Sequence, residues 1–173
     1  MGLFGSIFGS KNHSRNKIFT FNVDEELECS ENFDRIMDQF FEQTGETEVS
    51  ELTDVKARAL YFISTTHYQV MNGGVIQFVD NSSGDYFEEI YQTLDNLSLT
   101  IYKEILTEVR NNFPNKSIPT DMSERRDLID KINDQAEIDD KEDELDLFWD
   151  ELDTKYYDNS KTLYCKVVEY IAG

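Results

Sequence analysis

The hydrophobic residues of this chain recur with the period of an α-helix along most of its length. The first clear stripe ends at Gly45 and consists of Phe33, Ile36, Met37, Phe40 and Phe41. Similar stripes follow, separated by glycine, proline, asparagine and serine, at Val55 to Val70, Phe87 to Leu97, Tyr102 to Phe113, Leu128 to Ile132, Leu145 to Tyr156 and Leu163 to Ile171. Only Ile18 to Phe21 suggests a short strand. We therefore predict an all-α, single-domain bundle of about seven or eight helices.

A polar segment from Asn72 to Tyr86, NGGVIQFVDNSSGDY, interrupts the helical pattern. Asn72, Gly73 and Gly74 predict the end of a helix, because glycine and asparagine adopt the left-handed conformation at little cost. Val75 to Val79 then has room for little more than one helical turn.

The second half of this segment, Asn81 to Asp85, predicts another stop and restart. Asp85 followed by Glu88 predicts a capping box at the start of the next helix. We expect Gln77 and Asn81 to bond to neighbouring backbone, and Trp149, further along, to be a core anchor.

Charge changes this picture more than any other property of the composition. The formal net charge is −20, and 36 acidic residues face 16 basic ones. Lys11, Arg15 and Lys17 precede every acid, so the chain from Asp24 onward has 36 acids, 13 bases and a net charge of −23. Such a surface repels nucleic acid and anionic membranes and attracts basic proteins. With 12 Phe and 9 Tyr, the chain can nevertheless build a core.

The first 23 residues differ from the rest, since they are basic and apolar. We expect residues 1–23 to form a leader, mobile or loosely docked, and residues 24–173 to form the acidic helical domain. Met1, Gly2 and Ser6 match the short N-myristoylation pattern, which many unmodified proteins also match.

The densest run of acids, Glu137 to Asp153, contains ten carboxylates and one base, Lys141. Helical spacing aligns four of them opposite an apolar stripe. Repulsion between like-charged neighbours costs about 0.2–0.5 kcal/mol per pair of carboxylates, whereas burial of each Leu or Phe stabilises the helix by roughly 1.5–3 kcal/mol. The helix can therefore form in spite of its negative charge. We predict a partner-binding acidic face consisting of Glu142, Asp146, Asp150, Asp153, Asp139 and Asp143.

One such row cannot imitate the charge density of DNA. Its carboxylates recur about every 5–6 Å, whereas phosphates advance about 3.4 Å along each strand. Mimicry needs neighbouring rows, for which Asp24 to Glu31 and the acids Asp85, Glu88 and Glu89 are candidates.

Other kinds of site have weaker signatures. Cys29 and Cys165 form no CxxC pair, and two free thiols in a reducing cytoplasm are the expectation. No run of about 18 apolar residues predicts a membrane span. The acid run lacks the glycine and the spacing of a calcium loop, and no HExxH motif occurs, so we expect no metal and no cofactor.

A serine hydrolase is a further alternative, because Ser82, Ser83 and Asp85 follow His67 in the chain. The segment lacks the strand and the flanking glycines of a nucleophile elbow. Capping and loop closure are the preferred interpretation of its serines.

The central segment resembles the signature of the bacterial DNA-mimic protein family, whose members are acidic and all-helical. The matching residues are Asn72, Gly73, Gly74, Gln77, Phe78, Asn81, Ser82, Ser83, Gly84, Asp85 and Tyr86. A second matching piece lies between Leu145 and Ile171, and the resemblance covers about Leu52 to the C-terminus.

The resemblance and the charge together imply a non-enzymatic cytoplasmic protein that presents acidic helical faces to a basic partner, such as the DNA-binding surface of a transcriptional regulator. An immunity or antitoxin-like protein that neutralises a cationic toxin is the main alternative, since the same electrostatics would serve it. A hydrolase that uses His67 and Asp85 is a third hypothesis. The oligomeric state stays open, with a dimer among the alternatives.

Overall fold

The protein is described by a computed structural model that covers residues 18–173. This part of the chain is all-α, as predicted, with seven α-helices, three short 3₁₀ turns and no strand. The helices are α1 (Cys29–Thr44), α2 (Val55–Asp80), α3 (Phe87–Asn96), α4 (Thr100–Asn112), α5 (Met122–Ile138), α6 (Glu142–Asp158) and α7 (Ser160–Ala172). The 3₁₀ turns are Val49–Glu51, Ser82–Tyr86 and Pro114–Lys116. No helix within the described range is long and apolar enough to cross a membrane.

Residues 18–23 run along α1 as an irregular extended segment. The strand suggested at Ile18 to Phe21 does not form, because glutamine side chains of α1 pair with this backbone where another strand would. The Gln43 side chain exchanges hydrogen bonds with Thr20, and Gln39 does the same with Asn22. Residues 1–17, with the basic and myristoylation patterns of the predicted leader, lie outside the described residues.

The predicted break at the two glycines is present inside α2. Gly73 leaves helical geometry and Gly74 has a φ of 80°, which favours glycine over any residue with a side chain. Residues 75–80 resume the helix as a short second segment. The Asp153 carboxylate accepts a hydrogen bond from the Val75 amide over 2.6 Å, so α6 caps this second segment.

The end of α2 is fixed by a buried arginine on α5. Arg125 is 0% exposed, and all five N–H groups of its guanidinium meet an acceptor. The distances are between 2.7 and 3.0 Å, and the acceptors are the carbonyls of Val79, Asn81, Pro119 and Thr120 and the carboxylate of Asp85. One side chain therefore joins α2, the Ser82–Tyr86 turn and the loop before α5.

This arginine explains the glycine in the NSSGDY sequence. A Cβ at Gly84 would lie 2.5 Å from the Val79 carbonyl oxygen and 2.7 Å from Nε of Arg125. Gly84 has no positive φ, so the absence of a side chain is required by packing.

The predicted capping box at Asp85 is wrong. Tyr86 is the N-cap residue of α3 and makes no side-chain capping bond, while Asp85 pairs with Arg125. Gln77 and Asn81 also differ from expectation, since both donate to the side-chain oxygen of Gln69 rather than to backbone. Asp85 takes this role because it pairs with the buried guanidinium of Arg125, which lies 40 residues further along the chain and is not apparent from the local sequence.

The two cysteines form a disulfide, so the prediction of free thiols is wrong. Cys29 at the start of α1 is bonded to Cys165 in α7, 136 residues away. The pairing was missed because spacing along the chain says nothing about which helices pack together. The cysteines therefore give no support to the expectation of a reducing cytoplasm.

The core runs through the whole described chain as one hydrophobic cluster. Most predicted stripe residues belong to it. Val55 and Phe41 do not, because Val55 is exposed at the first turn of α2 and Phe41 is exposed near the end of α1. Trp149, expected as a core anchor, is half-buried and packs against the margin of the cluster.

Replacing Arg125 with methionine should lower the free energy of unfolding by about 3–5 kcal/mol, because the carbonyls and the carboxylate around it lose their donors. Urea denaturation followed by circular dichroism measures this. Arg126→Met is the matched control, since Arg126 pairs with Asp80 at a partly exposed site and should lose less than about 1 kcal/mol. Equal losses in the two variants would contradict the role given to Arg125.

The Cys29→Ser, Cys165→Ser double variant should lose about 2–4 kcal/mol, because the bond closes a long loop and restricts the unfolded chain. Thermal and urea denaturation of both proteins without reductant give the comparison. Thiol titration of the denatured wild type should detect no free thiol, and two reactive thiols would show that the bond is absent.

Candidate acidic binding surface

α5 and α6 contact one another and are joined by a tight turn in which Asp140 has a φ of 55°, and we call the pair the hairpin. Ile132 and Ala136 of α5 line one cleft together with Leu145 and Phe148 of α6. The apolar stripes of the two helices thus lie on the inner side, and helical periodicity places the remaining positions towards solvent.

The predicted acids of α6 are mostly on this solvent side. Glu142, Asp143, Asp146 and Asp150 are exposed, and so is Asp139 in the turn. None of these five forms an ion pair within residues 18–173. Their part in partner binding stays a prediction.

Asp153 differs from the other predicted acids, because it is half-buried and points towards the break in α2. A Cβ at Gly74 would lie 2.3 Å from its Oδ2 atom. Burial raises the pKa of Asp153, the Val75 amide opposes this by lowering it, and the nearby charge of Asp150 raises it further. Asp153 therefore holds α2 against α6.

Tyr157, one helical turn after Asp153, contacts the other side of the same break. Its hydroxyl donates to the Val70 carbonyl oxygen over 3.0 Å. Two side chains of α6 thus bind α2 just before and just after its glycines.

A second acidic row lies on α5, and the sequence analysis did not identify it. Its members are exposed, recur at intervals of three and four residues, and form no ion pair within the described chain; they are Asp127, Asp130, Asp134 and Glu137. The spacing was a usable signal in the sequence, and the structure adds that these acids are exposed on the helix that precedes α6. We call these four residues, with Glu142, Asp143, Asp146 and Asp150, the acidic hairpin surface.

The acids considered earlier as neighbouring rows are largely engaged elsewhere. Asp24 pairs with Arg35, Asp85 with the buried arginine, and Glu88 with Arg110. Glu28 and Glu31 form the capping box of α1. These groups therefore have less free charge than the acidic hairpin surface.

Basic residues do little to neutralise the hairpin. Residues 124–153 contain 14 acids and four bases, which gives a net charge of −10. Two of the bases, Arg125 and Arg126, pair with Asp85 and Asp80 outside the hairpin. Only Lys131 and Lys141 remain, so the solvent side keeps a large anionic excess.

The residues of the hydrolase hypothesis have internal contacts. His67 is buried, its Nδ1 lies 3.3 Å from the Tyr156 hydroxyl, and the ring of Phe33 packs against it. Burial lowers the pKa of His67, against a smaller raising effect of Asp34. Ser83 donates to the Phe78 carbonyl oxygen. Among residues 18–173 there is also no group of three or more His, Cys, Asp or Glu residues that could hold a metal ion.

Comparison with protein families decides the relationship. The sequence model of the family described as DMP19-like protein, where DMP19 stands for DNA mimic protein 19, matches residues 50–173. The chain belongs to the DMP19-like family. Neither a curated protein nor a solved structure matches it.

The family assignment confirms the resemblance to the DNA-mimic family. The matched range contains that segment, the buried arginine and both rows of the acidic hairpin surface. α1 lies before the matched range, so the disulfide joins a helix outside it to a helix inside it. Membership of a DNA-mimic family implies a protein-binding role.

Replacing Asp153 with asparagine tests its place at the break through pH. Burial raises its pKa in the folded state, so the fold binds this proton more tightly than the unfolded chain does. The carboxyl therefore contributes stability at low pH and loses it as pH rises through the folded pKa. Lowering the pH from about 7 to about 4 should shift the difference in unfolding free energy between wild type and variant in favour of the wild type.

Asp146→Asn is the control, since Asp146 is an exposed acid on the same helix, seven residues before Asp153. Urea denaturation across the pH range supplies the differences. A flat difference for Asp153→Asn, or one that grows with rising pH, would rule out burial as the cause.

Proposed function

We propose that the protein is a non-enzymatic binding module that presents its acidic hairpin surface to the DNA-binding surface of a basic protein, such as a transcriptional regulator. The observation that carries this proposal is the pair of unpaired carboxylate rows on α5 and α6. Membership of the DMP19-like family supports it.

The charge density of the two rows supports mimicry better than one row does. With a rise of about 1.5 Å per residue, each row extends over about 12–15 Å, so its four carboxylates give roughly one charge every 3–4 Å along the helix. Each strand of duplex DNA carries about one charge every 3.4 Å along the axis. Two such rows on consecutive helices therefore offer a partner charge comparable to that of two strands.

The contacts that hold α5 and α6 against the rest of the bundle also favour a binding function. A charged surface binds best when its groups need no ordering on association. The buried arginine fixes the start of α5, and Asp153 and Tyr157 fix α6 to α2. The carboxylates are thus presented on a scaffold that is already ordered.

We propose a non-enzymatic role because His67 and Asp85, the residues of the hydrolase hypothesis, are engaged in other contacts. His67 is enclosed by aromatic rings, and Asp85 neutralises a buried guanidinium. A general base needs free access to the proton that it removes. Both side chains instead serve the packing of the bundle.

Charge reversal tests the proposal. The variant Asp130→Lys, Asp134→Lys, Asp146→Lys, Asp150→Lys should lose capture of basic DNA-binding proteins from a lysate of the producing organism, because opposite charges are replaced by like charges. Immobilised wild type should release the captured proteins as salt rises and when duplex DNA is added in competition. Quantitative mass spectrometry of the eluates gives the measurement.

A matched control keeps the net charge of this variant. Glu25→Lys, Glu26→Lys, Glu46→Lys, Glu51→Lys changes four exposed acids outside the hairpin by the same total charge. It should retain the captured proteins. Equal loss in both variants would mean that net charge alone drives capture, and release by salt but not by DNA would favour neutralisation of a cationic toxin.

A further inference from the structure

Four partly exposed aromatic and apolar side chains lie along α2 and at its contacts with α1 and α6. Phe41, Tyr68, Met71 and Tyr157 are 45%, 51%, 52% and 39% exposed. Phe41 and Tyr68 are in ring contact, with centroids 6.0 Å apart, and Met71 follows Tyr68 by one helical turn. Tyr157 binds the carbonyl of Val70, the residue before Met71. We call these four residues the aromatic patch.

The aromatic patch is held in place by contacts that leave part of each ring open. The Tyr157 hydroxyl is bonded to α2, and the Tyr157 ring also packs against Tyr156 with centroids 6.2 Å apart. Tyr68 packs on the His67 ring at 6.0 Å. Because these rings are ordered before any partner arrives, they would lose little conformational entropy on binding.

Free carboxylates border the aromatic patch. Asp34 and Asp38 precede Phe41 on α1 by seven and three residues, so all three lie on one side of that helix. Burial, followed by the charges of Asp34 and Asp38, raises the pKa of Tyr68, which places both acids within electrostatic reach of its hydroxyl. Asp153 acts in the same way on Tyr157. Asp34 and Asp38 form no ion pair within residues 18–173.

An apolar aromatic centre with an acidic border fits one kind of group best. The guanidinium of arginine stacks on aromatic rings and binds carboxylates at its edge, whereas the ammonium of lysine is more strongly hydrated and lacks the planar shape. Aromatic clusters that are ordered and bordered by charge are also typical of binding hot spots.

We infer that the aromatic patch is an anchoring site for an arginine side chain of the basic partner, with Asp34 and Asp38 meeting its charge. The inference deepens the proposed function and rests on it. The acidic hairpin surface attracts the partner over a distance, and the aromatic patch, which shares α6 with that surface, supplies contact specificity. Asp34, Asp38 and Phe41 precede residues 50–173, the range that the family model matches.

Two peptides of equal length and charge test the inference. One contains arginine and glycine in alternation, and the other contains lysine in place of arginine. The wild type should bind the arginine peptide about 5-fold more tightly than the lysine peptide. Isothermal titration calorimetry at fixed salt gives both affinities. The Phe41→Ala, Tyr68→Ala variant should bind the two peptides equally.

The control for this variant is Ile18→Ala, Val55→Ala, which removes two other exposed apolar side chains and should keep the arginine preference. Circular dichroism and melting temperature check the fold of both. If the Phe41→Ala, Tyr68→Ala variant keeps the full preference, the aromatic patch is not the arginine site.

The same titrations separate this inference from the proposed function. The hairpin charge-reversal variant should bind both peptides more weakly and still prefer arginine. Unchanged affinities in that variant would overturn the proposed function while leaving the arginine site intact.

Two further measurements test whether the aromatic patch is instead covered by the chain's own first residues or by a second copy of the chain. Reversing Lys11, Arg15 and Lys17 to Glu should strengthen the binding of both peptides alike and leave the preference for arginine over lysine unchanged. A larger preference would show that the chain's own first residues cover the patch and would overturn the inference. The molar mass in light scattering should be the same for wild type and the Phe41→Ala, Tyr68→Ala variant. A dimer lost only in that variant would assign the patch to contact between copies and overturn the inference.

Discussion

The buried guanidinium of Arg125 is the interaction on which the arrangement of this protein depends. Arginine stays charged in proteins, so its burial is tolerated only when every donor finds an acceptor. Here the acceptors come from the end of α2, the turn after it and the loop before α5. The requirement explains why Gly84 has no side chain and why Asp85 is acidic. It also fixes the direction in which α5 leaves the bundle, and with it the position of the acidic hairpin surface.

Several basic residues of the described chain join separate elements of the fold. Arg125 is enclosed, Arg110 stacks on the ring of Tyr91 at 4.3 Å while it pairs with Glu88, and Lys56 donates to the last turn of α7. Lys155 ties α6 to two glutamates of α4. Each contact removes a positive charge from the open surface and joins two elements. The acids of the hairpin surface keep their charge, because no base of the described chain pairs with them.

α6 connects the scaffold with the surfaces proposed for binding. Its inner side places Leu152 and Tyr156 in the core. Asp153 and Tyr157 form hydrogen bonds with α2 on the two sides of its glycines. Its outer side carries half of the acidic hairpin surface, and Tyr157 belongs also to the aromatic patch. A partner that touches both surfaces would thus act on one rigid helix. The break in α2 serves this arrangement, because Gly74 leaves the space that the Asp153 carboxylate occupies.

The sequence by itself determined the helices, the break at Gly73 and Gly74, the all-α class and the excess of acids. These features depend on local periodicity and on the conformational freedom of glycine, which a stretch of a few residues already contains. Only the tertiary structure decided which acids are free. Asp85 meets Arg125 40 residues further on, Asp80 meets Arg126 after 46, and Cys29 meets Cys165 after 136. Periodicity places a side chain on one side of its helix, but the packing of helices decides what it meets there. For that reason Asp153 lies at the contact with α2 and not on the predicted binding face, whereas Asp127, Asp130 and Asp134 of α5 are exposed and form no ion pair in the described chain.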